Sequence, residues 1–179
     1  MDHRYYAHDR LPDGRSVIVR SVNSADKELL QQLVAGLSHE SRYFRFFGAK
    51  KALTEKELTY FTEIDFKDHI ALLVILDDEE KTPLAVGRYI LTSSVGSTKS
   101  AEASLVVNEE YHRGGIGTLL HSHLVALADK LGVRELHFNI LSENYKMLKF
   151  LQRKSIADLG QVRISREQTG VAVATLSLN

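Results

Sequence analysis

Tyr111-His112-Arg113-Gly114-Gly115-Ile116-Gly117-Thr118 is the stretch whose residue types and spacing bear most directly on chemistry. It follows an apolar run, Leu105-Val106-Val107, and opens a long amphipathic segment. The order is strand, glycine-rich turn, helix N-terminus, and that order makes an anion site. The first amides of a helix have no intrahelical partner, and the helix dipole adds partial positive charge there. Gly114, Gly115 and Gly117 permit positive φ and close approach of a phosphate to the backbone, and the Thr118 hydroxyl is a further donor. The expected ligand carries a phosphate or pyrophosphate; the alternative is a turn that only starts a helix. Two other glycine motifs fail. A Walker loop needs a lysine after its last glycine, and Thr118 follows Gly117. A dinucleotide fingerprint needs a third glycine where Leu120 stands, in the first βαβ unit rather than past the chain's midpoint.

Glu102 is the second candidate. On a strand expected at 101–107, alternation places Ala101, Ala103, Leu105 and Val107 on one face and Glu102, Ser104 and Val106 on the other. A carboxylate in a central strand is costly to bury without purpose or partner. It is therefore a general base, or else a structural carboxylate paired with an arginine or exposed at a strand end. Glu63 and Glu109 are the next candidates for a base. Of the eight histidines, His121 and His123 are two apart on a helix and cannot chelate one ion. His112 stands at the phosphate turn, and the others are expected at the surface. Asp77-Asp78-Glu79-Glu80 reads as a solvated hairpin turn, so no metal is assigned. Arg42, Arg45, Lys50, Lys51 and Lys56 form a basic zone, either a solvated face or a contact for an anionic ligand.

These residues need elements to hold them. An Asp13-Gly14 turn precedes a strand at 17–20, and Asn23 or Ser24 caps a helix running to about Leu37. Residues 41–47 form a second helical piece, and Thr54 and Glu57 make a capping box before a third. Strands follow at 69–76 and 84–91, then a polar turn at 93–100 and the central strand at 101–107. The helix from Gly114 to about Leu131 shows one stripe, Ile116, Leu119, Leu120, Leu124, Leu127 and Leu131, and Gly132 stops it. A strand at 134–141, a helix at about 143–153 and strands at about 158–164 and 171–178 complete the chain. The pattern is α/β (α+β): a mixed sheet with helices on both faces.

At 179 residues, one domain over 1–179 is expected, with 1–15 as an N-terminal extension and first turn. Lys plus Arg and Asp plus Glu are both 23, which argues against a general nucleic-acid or membrane binder. No apolar run has the length of a membrane span and no signal-peptide core follows Met1, so the expected location is cytoplasmic. The lack of cysteine excludes disulfides, thiolate metal sites and a cysteine nucleophile.

The phosphate turn resembles motif A of the GNAT superfamily of acyl-CoA-dependent N-acyltransferases, Gln/Arg-x-x-Gly-x-Gly/Ala after the central strand. His112 occupies the Gln/Arg position, and Gly115 and Gly117 match the two fixed positions. Downstream, Leu136-His137-Phe138-Asn139-Ile140 resembles the next strand, and Ser142-Glu143-Asn144-Tyr145-Lys146-Met147 opens the following helix. Leu11-Pro12-Asp13-Gly14 with Val17-Ile18-Val19-Arg20, Ser41-Arg42-Tyr43-Phe44-Arg45-Phe46-Phe47, Ala101-Glu102 and Glu143-Asn144 with Met147 are similar to bacterial protein lysine acetyltransferases of the Pat type.

The resemblance implies a largely antiparallel central sheet and acetyl-CoA as cosubstrate, without a metal. It places Leu105, Val106 and Val107 along the pantetheine arm, with amides near Val106 and Val107 as oxyanion donors. His112, Arg113, Gly114, Gly115, Ile116, Gly117 and Thr118 surround the pyrophosphate, and Asn144 and Met147 contact coenzyme A. Glu102 is implied as the base, acting through water on a primary amine, protein lysine or small molecule, in a ternary complex. Many members carry a tyrosine acid where Leu151 stands, preceded by Phe150; that departure leaves Tyr145, a water or no acid. A homodimer is implied by family habit only. The alternative is a non-catalytic acyl-CoA-binding or sensor module, and a nucleotide-binding regulator ranks behind both.

Overall fold

Period-2 and near-continuous apolar runs become strands, and capped amphipathic runs become helices. A computed structural model of the chain describes residues 4–95, 98–111, 114–166 and 170–178, without the side chains of 93–95 and 166. The strands are β1 (Tyr6–Arg10), β2 (Ser16–Ser21), β3 (His69–Leu76), β4 (Pro83–Val95), β5 (Thr98–Val107), β6 (Val133–Leu141), β7 (Gly160–Arg166) and β8 (Val171–Leu178). The helices are α1 (Lys27–Ala35), α2 (His39–Phe46), α3 (Glu55–Thr62), α4 (Ile116–Lys130), α5 (Tyr145–Leu151) and α6 (Lys154–Ala157), with 3-10 turns at Ser24–Asp26 and Glu109–Tyr111. The sheet order is β1-β2-β3-β4-β5-β6-β8-β7. Pairs β1–β2, β2–β3, β6–β8 and β7–β8 are antiparallel, and β5–β6 is parallel. The sheet is mixed and largely antiparallel, as expected. The chain forms two compact units: residues 1–88 with 105–120, and residues 89–104 with 121–179.

In the first unit, β3 is buried from Ile70 to Ile75, which explains its unbroken apolar run. One face of its strands, Ile18, Ala71, Leu73, Ile75, Val86 and Val106, forms a core with Leu30, Leu33 and Val34 of α1 and Leu58 of α3. The helices start where the caps say. Asn23 accepts from Ala25 N–H at 2.9 Å while Asp26 accepts from Asn23 N–H at 2.8 Å, and Thr54 and Glu57 make the reciprocal box. Ser38 caps α2, and Gly36 closes α1 by donating to Gln32 O at 3.0 Å.

In the second unit, β8 buries Ala172, Ala174 and Leu176, and β6 buries Val133, Leu136, Phe138 and Ile140. The ladder from β5 to β6 runs from Lys99↔Val133 to Glu102↔His137, with a register shift between Lys99 and Ser100.

Several boundaries differ from expectation. Residues 6–10 form a strand rather than an extension, because they pair in register with Ser16–Arg20 across the Asp13-Gly14 turn. The polar turn at 93–100 is shorter: strand runs to Val95 and resumes at Thr98. Gly96 and Ser97 lie outside the described residues, as do Glu167, Gln168 and Thr169. The helix expected at 143–153 is the shorter α5 (Tyr145–Leu151), and α6 follows it beyond 153. Leu119 is only partly buried and Leu131 is 38 % exposed, so the stripe of α4 is Ile116, Leu120, Leu124, Leu127 and their neighbours Val125 and Ala128. His121 belongs to that stripe. It is 1 % exposed, not a surface residue.

Candidate active site

The phosphate turn belongs to the first unit. After β5 ends, Asn108 N–H donates to Leu84 O at 2.8 Å, and Asn108 Oδ1 accepts from Glu110 N–H at 3.1 Å, starting the 3-10 turn. Gly114 N–H donates to Tyr111 O at 3.3 Å. Gly115 has φ +80°, and a Cβ there would stand 2.9 Å from both Cγ and Cδ of Pro12. Leu119 N–H then donates to Gly115 O at 2.9 Å, the first α-helical bond of α4. The amides of Ile116 and Gly117 precede that bond, where a helix has no internal acceptor to offer. A left-handed glycine pressed on a proline ring, ahead of a helix dipole, fits a diphosphate. His112 and Arg113 lie outside the described residues.

The turn has a neighbour that sequence reasoning missed. The loop between β1 and β2 is closed by Leu11 N–H to Arg15 O and Gly14 N–H to Leu11 O, both 2.9 Å. It carries Pro12 under Gly115. It also carries Arg15, whose guanidinium pairs with Asp13 at 2.6 Å and stands 5.1 Å from the Tyr111 ring centroid. Its Nη2 is 3.4 Å from where a Gly114 Cβ would be. A fixed cation therefore stands at the phosphate turn. The Asp13-Gly14 turn was legible, but only as a turn before a strand.

Several other candidates in this unit are engaged structurally. Glu109 Oε1 accepts from Ser38 N–H at 3.1 Å and from its hydroxyl at 2.6 Å. Glu63 pairs with Lys27 at 3.2 Å. In the basic zone, Arg42 donates to Leu37 O at 2.8 Å and Lys50 pairs with Glu57 at 2.6 Å. Arg45 lies 5.3 Å from the Phe46 ring centroid.

In the second unit, Glu102 is exposed, so the cost of burying a carboxylate has no bearing on it. The alternation expected for β5 holds at Ala101 and Ala103, then slips: the next buried side chain is Val106. The described pairs of β5 with β6 end at Glu102↔His137, although both strands continue. Asn144 caps α5, its Oδ1 accepting from Met147 N–H at 3.1 Å. Leu151 is 1 % exposed and Tyr145 is 65 % exposed. Beneath them His121 lies 5.9 Å from the Phe138 ring and 6.0 Å from the Phe150 ring, centroid to centroid. Neither of its ring nitrogens has a hydrogen-bond partner, and burial pushes its pKa down to about 4. Among the described residues no group of three or more metal-ligating side chains converges, and no helix is long and apolar enough to cross a membrane.

The acetyltransferase (GNAT) family model matches residues 35–155. The chain belongs to the GNAT acetyltransferase family. An acetyltransferase of Pseudomonas aeruginosa is 27 % identical over 130 residues, 72 % of this chain and 68 % of that protein. Acetyltransferase Pat of Mycolicibacterium smegmatis is 27 % identical over 165 residues, 92 % of this chain. This chain spans 46 % of that relative's length. The crystal structure of the GNAT domain of S. lividans PAT superposes with a TM-score of 0.84 at 27 % identity, over 97 % of each chain. The fold is shared by yncA from Salmonella typhimurium, solved with acetyl-CoA, at a TM-score of 0.68 and 16 % identity, covering 91 % and 94 %. The GNAT family uses acetyl-CoA as acyl donor, and this chain is an acetyl-CoA-dependent acyltransferase.

Proposed function

We propose that this GNAT enzyme acetylates a primary amine, on a protein lysine or a small molecule, by direct attack in a ternary complex. The observation that carries the reading is the phosphate turn: Gly115 at φ +80° against Pro12, ahead of the first α4 bond, with Arg15 beside it. The pyrophosphate of acetyl-CoA binds the amides of Gly114 to Thr118, with His112 and Arg113 flanking them. The pantetheine arm runs along Leu105, Val106 and Val107 of β5, and Asn144 and Met147 serve as further contacts of coenzyme A. Asn144 contributes through its amide nitrogen, because its oxygen caps α5.

An acceptor amine starts protonated, its reference pKa being about 10.4. Glu102, exposed on β5, takes that proton through a water. The nitrogen attacks the thioester carbonyl and the N–C bond forms. Amides near Val106 and Val107 hold the oxyanion, a contribution of about 3 kcal/mol in comparable sites. The C–S bond then breaks, the attacking nitrogen gives up its second proton, and the departing thiolate, of ordinary pKa about 8.5, takes up one proton, both exchanges running through water. Leu151 has no proton to give. No cysteine is present, so no acyl-cysteine intermediate forms. The chain is read as one GNAT domain, since β4, β5 and α4 each run through both units, and its location as cytoplasmic.

Calorimetry with acetyl-CoA tests the reading. Micromolar binding, weakened by Gly117→Glu, is expected, followed by thiol release when amines are supplied. No binding at millimolar acetyl-CoA would refute it.

A further inference from the structure

Among the described residues the chain buries two arginines, Arg20 at 8 % and Arg88 at 5 % exposure, and treats them differently. Arg20 is paired: its Nη1 and Nη2 donate to the two oxygens of Asp26 at 2.8 and 2.6 Å. That is the usual solution, because a buried charge is strongly disfavoured without a counter-charge. Arg88, on β4, has no carboxylate partner among the described residues. Its Nη1 donates to Phe61 O at 3.3 Å and to His69 Nε2 at 3.0 Å. Its guanidinium carbon stands 4.3 Å from the Phe61 ring centroid. To accept that bond, His69 must be neutral with its proton on Nδ1; burial and Arg88 itself hold it at about 4. Asp65, whose charge reaches His69, accepts the backbone N–H groups of Lys67, Asp68 and His69 at 2.9 to 3.0 Å. Burial above all, with like charge from Arg45, draws Arg88 down to about 9. A guanidinium has five donors, and here one nitrogen carries both recorded hydrogen bonds.

We propose that Arg88 is a recognition site for a carboxylate on the acceptor, whose arrival supplies the missing counter-charge. The proposal rests on the acetyl-transfer reading above and narrows its substrate class. A guanidinium fork takes a planar carboxylate through two parallel N–H···O bonds. Tyr60 and Phe61 come from α3 and Arg45 from α2. Tyr60 is 54 % exposed and its ring lies 5.4 Å from His69, so the cluster extends to the surface there. The carboxylate is either the α-carboxylate of a free amino-acid acceptor or an acidic side chain next to a target lysine.

Two measurements test this. In the 15N-labelled chain, the Nε–H signal of Arg88, assigned with Arg88→Lys, is followed during titration with acetate, with phosphate and with chloride as control. A saturable shift with acetate is expected. No shift, or a shift with phosphate alone, overturns the proposal. Because no turnover is needed, this result separates failure here from failure of the acetyl-transfer reading, which calorimetry with acetyl-CoA and thiol release report. The second measurement compares lysine with cadaverine, and a Glu-Lys dipeptide amide with its Gln-Lys counterpart. The carboxylate-bearing member of a pair is expected to lead by about tenfold or more in kcat/KM, expressed in KM. A preference in the first pair assigns the α-carboxylate, and one in the second assigns the flanking side chain. No preference in either overturns the proposal. Arg88→Gln is expected to remove the preference and spare cadaverine; equal loss on both members makes Arg88 structural. Should that variant fail to fold, the wild-type preferences and the acetate titration still decide.

Discussion

Gly115→Ala puts a methyl group where the phosphate turn has no space and the wrong backbone. Two terms follow from the structure. At φ +80° an L-residue pays for left-handed backbone, about 1–2 kcal/mol, offset by about 0.4–1 kcal/mol from the stiffer unfolded chain. The new Cβ also stands 2.9 Å from Cγ and Cδ of Pro12, well inside the ~3.5–4.0 Å optimum for carbon pairs. The ring cannot easily retreat, since Leu11, Gly14 and Arg15 close the loop around it by backbone hydrogen bonds. Overpacking of this kind costs about 1–3 kcal/mol. The sum is about 1–5 kcal/mol, read as a lower midpoint in urea unfolding with the slope unchanged. Pro12→Ala removes both clashing atoms and leaves the φ term. The double variant is therefore expected to recover most of the loss, a coupling of about 1–3 kcal/mol in the double-mutant cycle. Acetyl-CoA affinity, measured by calorimetry, is expected to fall in Gly115→Ala and to return in part in the double variant. Additive stabilities with unchanged affinity would refute both the packing of Pro12 under the turn and the turn's role in binding.

Three further outcomes are expected. Glu102→Gln lowers kcat by about 10²–10⁴-fold while leaving the acetyl-CoA dissociation constant near its wild-type value, checked by steady-state kinetics beside calorimetry; unchanged turnover would move the base elsewhere. Arg15→Ala weakens acetyl-CoA several-fold and unfolding stability by less than about 1 kcal/mol, because its ion pair with Asp13 is part-exposed. His121 makes stability depend on pH. Its folded pKa is about 4 against an ordinary 6.5, so as pH falls below 6.5 the unfolded chain takes up the proton first. Stability is intact above 6.5 and falls toward pH 4, by up to about 3 kcal/mol. His121→Phe is expected to flatten that part of the profile in urea melts run across pH.

What the sequence disclosed, and what it withheld, divides by the range of the interaction. Caps and turns are local, so Asn23, Thr54 with Glu57 and the turn at Asp13-Gly14 could be read directly, and strand β3 was legible to the residue because it is apolar on both faces. The phosphate turn was legible for the same reason: strand, glycines and helix start are contiguous. What holds that turn was not, since Pro12 and Arg15 are about a hundred residues away in sequence. His121 had a visible signal, because it is three residues before Leu124 and seven before Ala128 on one helical face, but residue type was weighed above spacing. Glu102 was argued from a burial it does not have, and its candidacy now stands on the family pattern and its place in β5 alone. Arg88 is the limiting case. A buried arginine is judged by its partner, and the lack of one is a property of three-dimensional neighbours from β3, β4 and α3. The same residue type at position 20 found Asp26 six residues on, within reach of pattern reading. Position 88 has no such neighbour in the chain, which is why its partner is sought in the substrate.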